Sequence, residues 1–399
     1  MKFKVILAVL LFLGFVSCRK EMPRMQNPNN QVVHNWDELF ESYWNGMNYH
    51  YVFWDIDSTD WDKVYDEYKP KFQEIAKLGF KDIKVNDRAV EWIKDMSASL
   101  IDQHLQIIIS LPGNGKDRVY PLFPPLENLK KREGYHELLL KERLYALIKM
   151  HNEGRWSGPL PFVLSDEEGN NVRYYSSCLI DNKIAYLGFS KFSFSQDLSN
   201  QLVYQIFEYY YDMLDNNSEL KGVIIDLRGN YGGYLNDLKW VLGKFVKEPL
   251  KFCYTRKKNG LGRLDFTPYT PEYLYPFDYK RELNIPVVVL ADMNSISMAE
   301  ITTLAVMNLP GGNGVFIGEQ TWGGNGNLNS DFDYTYGGQF SNQKLNVSTC
   351  MSSLVDINKV SYEGRGIKPD IELPLDVEKL INEQIDNQLE YAINYINSK

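Results

Sequence analysis

The sequence predicts an α/β fold with a helical region in front of it, on three observations. Aromatic and aliphatic residues recur every three to four positions from Trp36 to about Gln106, the spacing of helices with one buried face. Beyond residue 180, short unbroken apolar runs appear instead, such as Gly222-Val223-Ile224-Ile225-Asp226-Leu227 and Ile285-Pro286-Val287-Val288-Val289-Leu290-Ala291. Such runs read as strands buried on both faces. Each is followed by a turn and a helical pattern, and that alternation points to helices packed outside a sheet.

The elements follow in order. Residues 1–17 read as a signal peptide, with Lys2 and Lys4 ahead of an apolar stretch from Val5 to Val16. That stretch is short for a bilayer span and right for a signal core. It ends Phe15-Val16-Ser17-Cys18, which resembles a bacterial lipoprotein cleavage site and implies lipidation of Cys18; an ordinary signal peptide with an incidental cysteine is the plain alternative. Residues 18–35 are polar and turn-rich, a tether between anchor and fold. Residues 36–106 form the helical domain: a helix carrying Trp36, Leu39, Phe40, Tyr43 and Trp44, a second opening at Asp60, and a third over Asp87 to Ser99. Residues 107–178 intervene, with a strand at Ile107–Ile109 and a polar helix near Glu137 to Met150.

Residues 179–375 form the α/β core. Strands are expected at Arg173–Ser176, Lys183–Gly188, Gly222–Leu227, Ile285–Ala291 and Val315–Gly318. Helices are expected at Ser195–Leu214, Asn236–Val246 and from Ser297 to Leu304, and residues 376–399 close the chain with a charged helix.

Composition narrows the function classes. With 44% hydrophobic and 24% charged residues the chain is of ordinary globular make-up. Its formal charge of −9 and the lack of a basic stripe argue against nucleic acid. Once the signal peptide and Cys18 are set aside, Cys178, Cys253 and Cys350 remain, odd in number and far apart, with no zinc-binding spacing. They read as buried free thiols, and no metal or cofactor is expected.

Four segments carry chemistry. Ser297 stands where a buried strand turns into the helix Ser297-Met298-Ala299-Glu300-Ile301. A hydroxyl there faces the free N–H groups of the first helical turn, donors that could stabilise an oxyanion. Ser297 and Glu300 also have capping-box spacing, so a helix cap is the plain alternative. Asp226-Leu227-Arg228-Gly229-Asn230-Tyr231-Gly232-Gly233 ends a strand in glycines whose amides can approach a ligand, or simply makes a tight turn. Asp226 and Arg228 read as a structural pair. His104, one of five histidines, sits between a helix and a strand and matters if a nucleophile needs a base. Glu363, ahead of Gly364-Arg365-Gly366-Ile367-Lys368-Pro369-Asp370, could orient an imidazole or be a solvated turn residue.

In chain order, Asp226-Leu227-Arg228-Gly229-Asn230-x-Gly232-Gly233, Asn294-Ser295-Ile296-Ser297-Met298-Ala299-Glu300, Gly318-Glu319-x-Thr321-x-Gly323 and Gly364-x-Gly366-Ile367-x-Pro369-Asp370 resemble the tail-specific, or C-terminal processing, serine protease family over residues 180–375, with Leu100-x-Asp102-x-His104 upstream. The resemblance implies a ClpP/crotonase-like core, Ser297 as nucleophile, and an oxyanion hole from the Met298 N–H and an N–H of the Gly232-Gly233 turn. One branch of the family pairs its serine with a lysine after the Thr-x-Gly. Here Gly324 and Asn325 follow, and Lys344 is the only lysine between Ser297 and Asn358. The tricorn-like branch uses a histidine, a glutamate and a bridging serine, which implies roles for His104 and Glu363. Gln103 occupies the bridging serine's place, leaving another hydroxyl or Gln103 itself for that part. No PDZ carboxylate-binding loop is evident in 106–175.

The function expected is an exported, lipid-anchored peptidase of the bacterial cell envelope, periplasmic or at the surface. It would be held to the membrane through Cys18 and act on peptides or unfolded protein tails by an acyl-enzyme route. The alternative is a non-catalytic protein binding a hydrophobic ligand or peptide on the same scaffold.

Overall fold

A computed structural model describes residues 32–113, 115–165, 172–328 and 336–399. The signal peptide, Cys18 and nearly all of the tether lie outside the described residues.

Among the described residues three helices come first, Trp36–His50, Trp61–Ile75 and Ile83–Ser97, each started by a side-chain cap from Asn35, Asp60 and Asp82. Their apolar stripes meet in an aromatic core. Phe40 stacks on Phe72 with ring centroids 4.9 Å apart. The Trp44 and Trp61 indoles each donate to the other's backbone carbonyl, at 2.8 and 3.0 Å. The aromatic spacing read from sequence is therefore core packing. That core is completed by distant chain, because Phe340, Leu345, Val347 and Cys350 belong to it. Strand Gln106–Leu111 pairs with Arg118–Leu122 on one edge and with Leu345–Ser348 on the other, both antiparallel.

The central sheet has eight strands. Ile371–Glu372, Gly314–Gly318, Val287–Ala291, Gly222–Asp226 and Ile184–Phe189 lie side by side in parallel. Arg173–Ile180 continues them antiparallel, and Trp156–Ser157 and Phe162–Leu164 pair with it. The apolar runs are continuous because both faces are covered. Val223, Ile225, Val287, Val289 and Phe316 face the helices Gln201–Asn216 and Met298–Met307. Ile224, Val288, Leu290 and Ile317 face the opposite layer, with Leu389 and Ile393 of the last helix. The outcome is a mixed α/β fold with N-terminal helices.

Three expected helices differ in detail. The one expected over Ser195–Leu214 is two, Phe194–Asp197 and Gln201–Asn216, because Asn200 caps a new start by accepting from the Leu202 N–H. The one near Asn236 shrinks to Leu238–Leu242 between two 3-10 turns. The last is also two, Val377–Glu383 and Asn387–Asn397, separated at Gln384, which has φ 53°. Strands Leu250–Lys257, Thr270–Leu274 and Ser352–Asp356 form a small antiparallel sheet that the sequence reading lacks.

The second of those breaks has a cause. Asp386 caps Asn387–Asn397 and also receives the buried Arg228 guanidinium at 2.7 and 2.8 Å. Arg228 also grips Asp226 in two-point fashion, at 2.6 and 2.9 Å, and reaches Gln388. Asp226 and Arg228 are thus a structural pair that ties the sheet to the C-terminal helix. Replacing Arg228 by alanine would leave two buried carboxylates uncompensated. Arg228→Ala is expected to cost about 3–5 kcal/mol, read as a lower midpoint in urea denaturation.

Candidate active site

The turn after strand Val287–Ala291 is held by its own polar side chains. The Asp292 carboxylate accepts from the N–H groups of Gly229 and Asn294 and is met by Arg143. The Ser295 hydroxyl accepts from the Asp292 N–H at 2.9 Å and lies 2.8 Å from the Leu227 carbonyl, to which it donates. Ser295 is fully buried and its hydroxyl is occupied, so it is a structural serine. Ser297, two positions on, is half-buried and takes φ 62°, ψ −121°. This left-handed conformation is costly for a residue with a Cβ and persists only where surroundings impose it. A strained strand-to-helix turn of this kind presents a nucleophilic serine in other hydrolases.

What imposes it is Glu300. Its carboxylate is completely buried and accepts from the Thr321 hydroxyl, the Gly323 N–H at 2.8 Å, the Gly324 N–H at 2.7 Å and the Ser297 N–H at 3.3 Å. Burial pushes this carboxyl up to about 7 against the pull of those donors. The Ser297 N–H also reaches the Gly324 carbonyl at 3.0 Å. The spacing that suggested a cap therefore anchors the whole 321–324 loop. Thr321 passes the connection on, since its hydroxyl accepts from the Ile367 N–H at 2.7 Å. A Cβ on Gly366 would stand 2.1 Å from the Thr321 carbonyl oxygen, which requires glycine there.

The glycine turn abuts this serine. A Cβ on Gly232 would lie 2.6 Å from Ser297 Cβ, 2.9 Å from its Oγ and 3.0 Å from the Met298 nitrogen. The two expected glycine amides are not equivalent. Gly232 is buried and its N–H donates to Asn230 Oδ1 at 2.9 Å. Gly233 is exposed, and Phe192 bonds on either side of it, to the Gly232 carbonyl and the Tyr234 N–H. That leaves the Gly233 N–H beside the first-turn N–H of Met298 as the available donors.

His104 and Glu363 are brought together. One ligand atom each from Asp102, His104, Cys350 and Glu363 lies within 4.8 Å of the others. The ring's hydrogen-bond partner is neither Glu363 nor a serine but Cys350, with Sγ 3.4 Å from Nδ1. The thiol in turn lies 3.3 Å from Asp102 Oδ1. Glu363 accepts from the N–H groups of Gln103, Asn325 and Gly326 at 3.0, 2.8 and 2.9 Å. Gln103's side chain is committed to the Ile101 carbonyl and the Trp322 indole, so it does not bridge to the histidine.

Burial lowers the His104 pKa below 6.5, with the Asp102 charge opposing it. Burial, and next the charge of Asp102, drive the Glu363 carboxyl well above the carboxylate range. The Cys350 thiol is driven up by burial and by both carboxylates.

Ser297 and His104 share no hydrogen bond. They flank one loop: Gly324 accepts from Ser297 and packs on Gln103, the residue before His104. From sequence, Asp102 and Asn230 have no role of their own, Cys350 reads as a buried free thiol, and Glu300 only as Ser297's capping partner. Only Glu300 carried a local signal, its spacing from Ser297.

Ser297 is thus held strained beside the Met298 amide and the glycine turn, and His104 sits among buried acids next to Gln103, on which the same loop packs. Residues 183–373, a little under half of the chain, match the model of peptidase family S41. A stretch of 83 residues is 32% identical to the carboxy-terminal processing protease CtpB of Bacillus subtilis, covering 21% of this chain and only 15% of that protein's length. In fold, the chain is similar to a candidate peptidase from Parabacteroides merdae, with a TM-score of 0.64 at 22% identity over 91% of this chain and 97% of that one. It is also similar to mature CPAF complexed with lactacystin, with a TM-score of 0.56 at 13% identity over 92% and 99%.

Glutamine at position 300 would turn an amide NH2 toward some of the backbone N–H groups the carboxylate now receives. Glu300→Gln is expected to lose about 1–3 kcal/mol, measured by urea denaturation.

Proposed function

We propose that this chain is an exported, lipid-anchored serine peptidase that hydrolyses peptides or unfolded protein tails through an acyl-enzyme. The observation that carries the reading is the strained Ser297, set beside the Met298 amide and the Gly232-Gly233 turn. The family's ClpP/crotonase-like core belongs to the same reading, as does attachment through Cys18 in the bacterial envelope, which rests on the sequence of residues 1–18 alone.

In the reaction, His104 Nε2 takes the Ser297 proton as Oγ attacks the scissile carbonyl carbon. The resulting oxyanion is met by the Met298 and Gly233 N–H groups. As the C–N bond breaks, the imidazolium returns its proton to the leaving amine. Water then repeats the sequence on the ester and frees Ser297. Neutral His104 is the ready form at pH 7, because burial lowers its pKa. Asp102, acting on Nδ1 through the Cys350 thiol, and Glu363 nearby would stabilise the imidazolium. A Ser297–His104 hydrogen bond must form when substrate arrives, as catalytic contacts commonly tighten in the complex. Its absence at rest is the one observation favouring a non-catalytic binding protein.

A fluorophosphonate probe should label the wild-type chain and fail on Ser297→Ala; equal labelling of both would move the nucleophile elsewhere. His104→Ala should lower kcat by a factor on the order of 10⁴ or more. Because the base works unprotonated, kcat/KM should fall on the acid side with a midpoint below 6.5 and stay level from there to pH 8. A midpoint above 6.5 would remove His104 as the base.

A further inference from the structure

The inner side of the His104 ring gathers more ligand atoms than the peptidase reaction uses. Asp102 and Cys350 are fully buried and Glu363 is nearly so, whereas His104 retains partial exposure. Among the described residues no lysine or arginine forms an ion pair with either carboxylate. Two acids, a thiol and a neutral imidazole thus share a small volume without a counter-charge.

Their hydrogen bonds show which lone pairs are free. Asp102 Oδ2 is filled by the Thr349 hydroxyl and the Cys350 N–H, and Oδ1 by the His104 N–H and the Cys350 thiol. Glu363 Oε2 takes two amides, but Oε1 takes only that of Gln103. His104 Nδ1 meets only the thiol. The Cys350 S–H proton is therefore the piece that keeps the set closed. Loss of that proton leaves a thiolate, an imidazole nitrogen and two carboxylate oxygens converging on one point. That donor set suits Zn²⁺ better than Mg²⁺ or Ca²⁺, which prefer oxygen alone. The atoms already lie within 4.8 Å of one another. Tetrahedral coordination at Zn–N and Zn–S lengths asks for a contraction of about 1 Å from the widest separation.

We propose that Asp102, His104, Cys350 and Glu363 form an inhibitory Zn²⁺ site that shuts off the base by changing its tautomer. At rest Nδ1 carries the ring proton toward the Cys350 sulfur, and Nε2 is the acceptor Ser297 needs. Zn²⁺ bound at Nδ1 requires the ring proton on Nε2, so the ring can no longer take a proton from serine. The Cys350 proton, and that of Glu363 where it is protonated, leave to solvent. The ion is an inhibitor and takes no part in hydrolysis, in keeping with a cofactor-free reaction. The inhibitory half rests on the peptidase reading, whereas the binding half does not.

Anaerobic titration of the full chain with Co²⁺ separates the two. Expected are one bound equivalent, a thiolate-to-cobalt charge-transfer band, and displacement by Zn²⁺. Cys350→Ser, checked for native circular dichroism, should abolish the band and weaken Zn²⁺ by about 10-fold or more. Cys253→Ser should retain both. His104→Ala, with Cys350 intact, should weaken Zn²⁺ comparably. In the wild type and in Cys253→Ser, Zn²⁺ should block fluorophosphonate labelling, reversibly with EDTA, at the concentration at which it displaces Co²⁺; labelling that persists with the site filled overturns the inhibitory half. A folded chain without the band, or a band that survives Cys350→Ser, overturns the site. Binding as expected on a chain that no probe labels keeps the zinc site and overturns the peptidase reading.

Discussion

One buried carboxylate, that of Glu300, sets the geometry on which everything else at the site depends. It holds the backbone of Ser297 in a conformation that serine does not choose, and it draws Thr321, Gly323 and Gly324 to the same point. Through Thr321 the constraint reaches Ile367, and through Gly324 it reaches the loop that packs on Gln103. Ser297, the glycine turn and the segment bearing His104 come from separate parts of the chain. They share one framework because their backbones are pinned to it. A capping glutamate normally satisfies only the start of its own helix. Here the same side chain organises a loop more than twenty residues away.

A second buried set, Arg228 with Asp226 and Asp386, does comparable work below the site. It joins the end of a central strand to the cap of the last helix. Buried ion pairs of this kind repay their desolvation only when their geometry is well satisfied, and Arg228 has two-point contacts to both acids. The sheet's glycine turn starts one residue later, so its exit direction is set by this cluster. In contrast, among the described residues the acids around His104 have no ion-paired cation. Burial, and after it the Asp102 charge, raise Glu363 and Cys350, with the Glu363 charge adding to the thiol's shift.

The legible parts were those whose signal is local. Unbroken apolar runs such as Val287 to Ala291 can only be covered on both faces, and the aromatic repeat from Trp36 to Trp44 has only a helical period. Ser297 stood out because strand, turn and helix adjoin within a dozen residues. His104, Glu363 and Ser297 were named from the order of motifs, which carries their chemical types but not their contacts. Cys350 shows the limit: nothing within ten residues of it marks a site, and it gains its place from Asp102 and His104 nearly 250 residues away. Strand Leu250–Lys257 was missed for another reason. Its lysines and arginine, and a partner reached only across a register shift, blur the alternation that identifies a half-buried strand. Helix breaks at Asn200 and Gln384 depend on which polar side chain wins a backbone amide, a choice made by tertiary packing.

The pairing of Gln106–Leu111 with Leu345–Ser348 has a consequence for how the molecule is made. Ile109 and Leu345 are register partners, so the layer beneath the N-terminal helices stays open until more than two hundred further residues have been synthesised. Contacts this remote form late and slowly. Cys350 follows that strand by two residues, and its arrival seats the thiol against His104. The histidine side of the site is thus assembled last, after nearly the whole chain exists. A nascent chain therefore lacks the finished surroundings of His104 until Cys350 and Glu363 have been made.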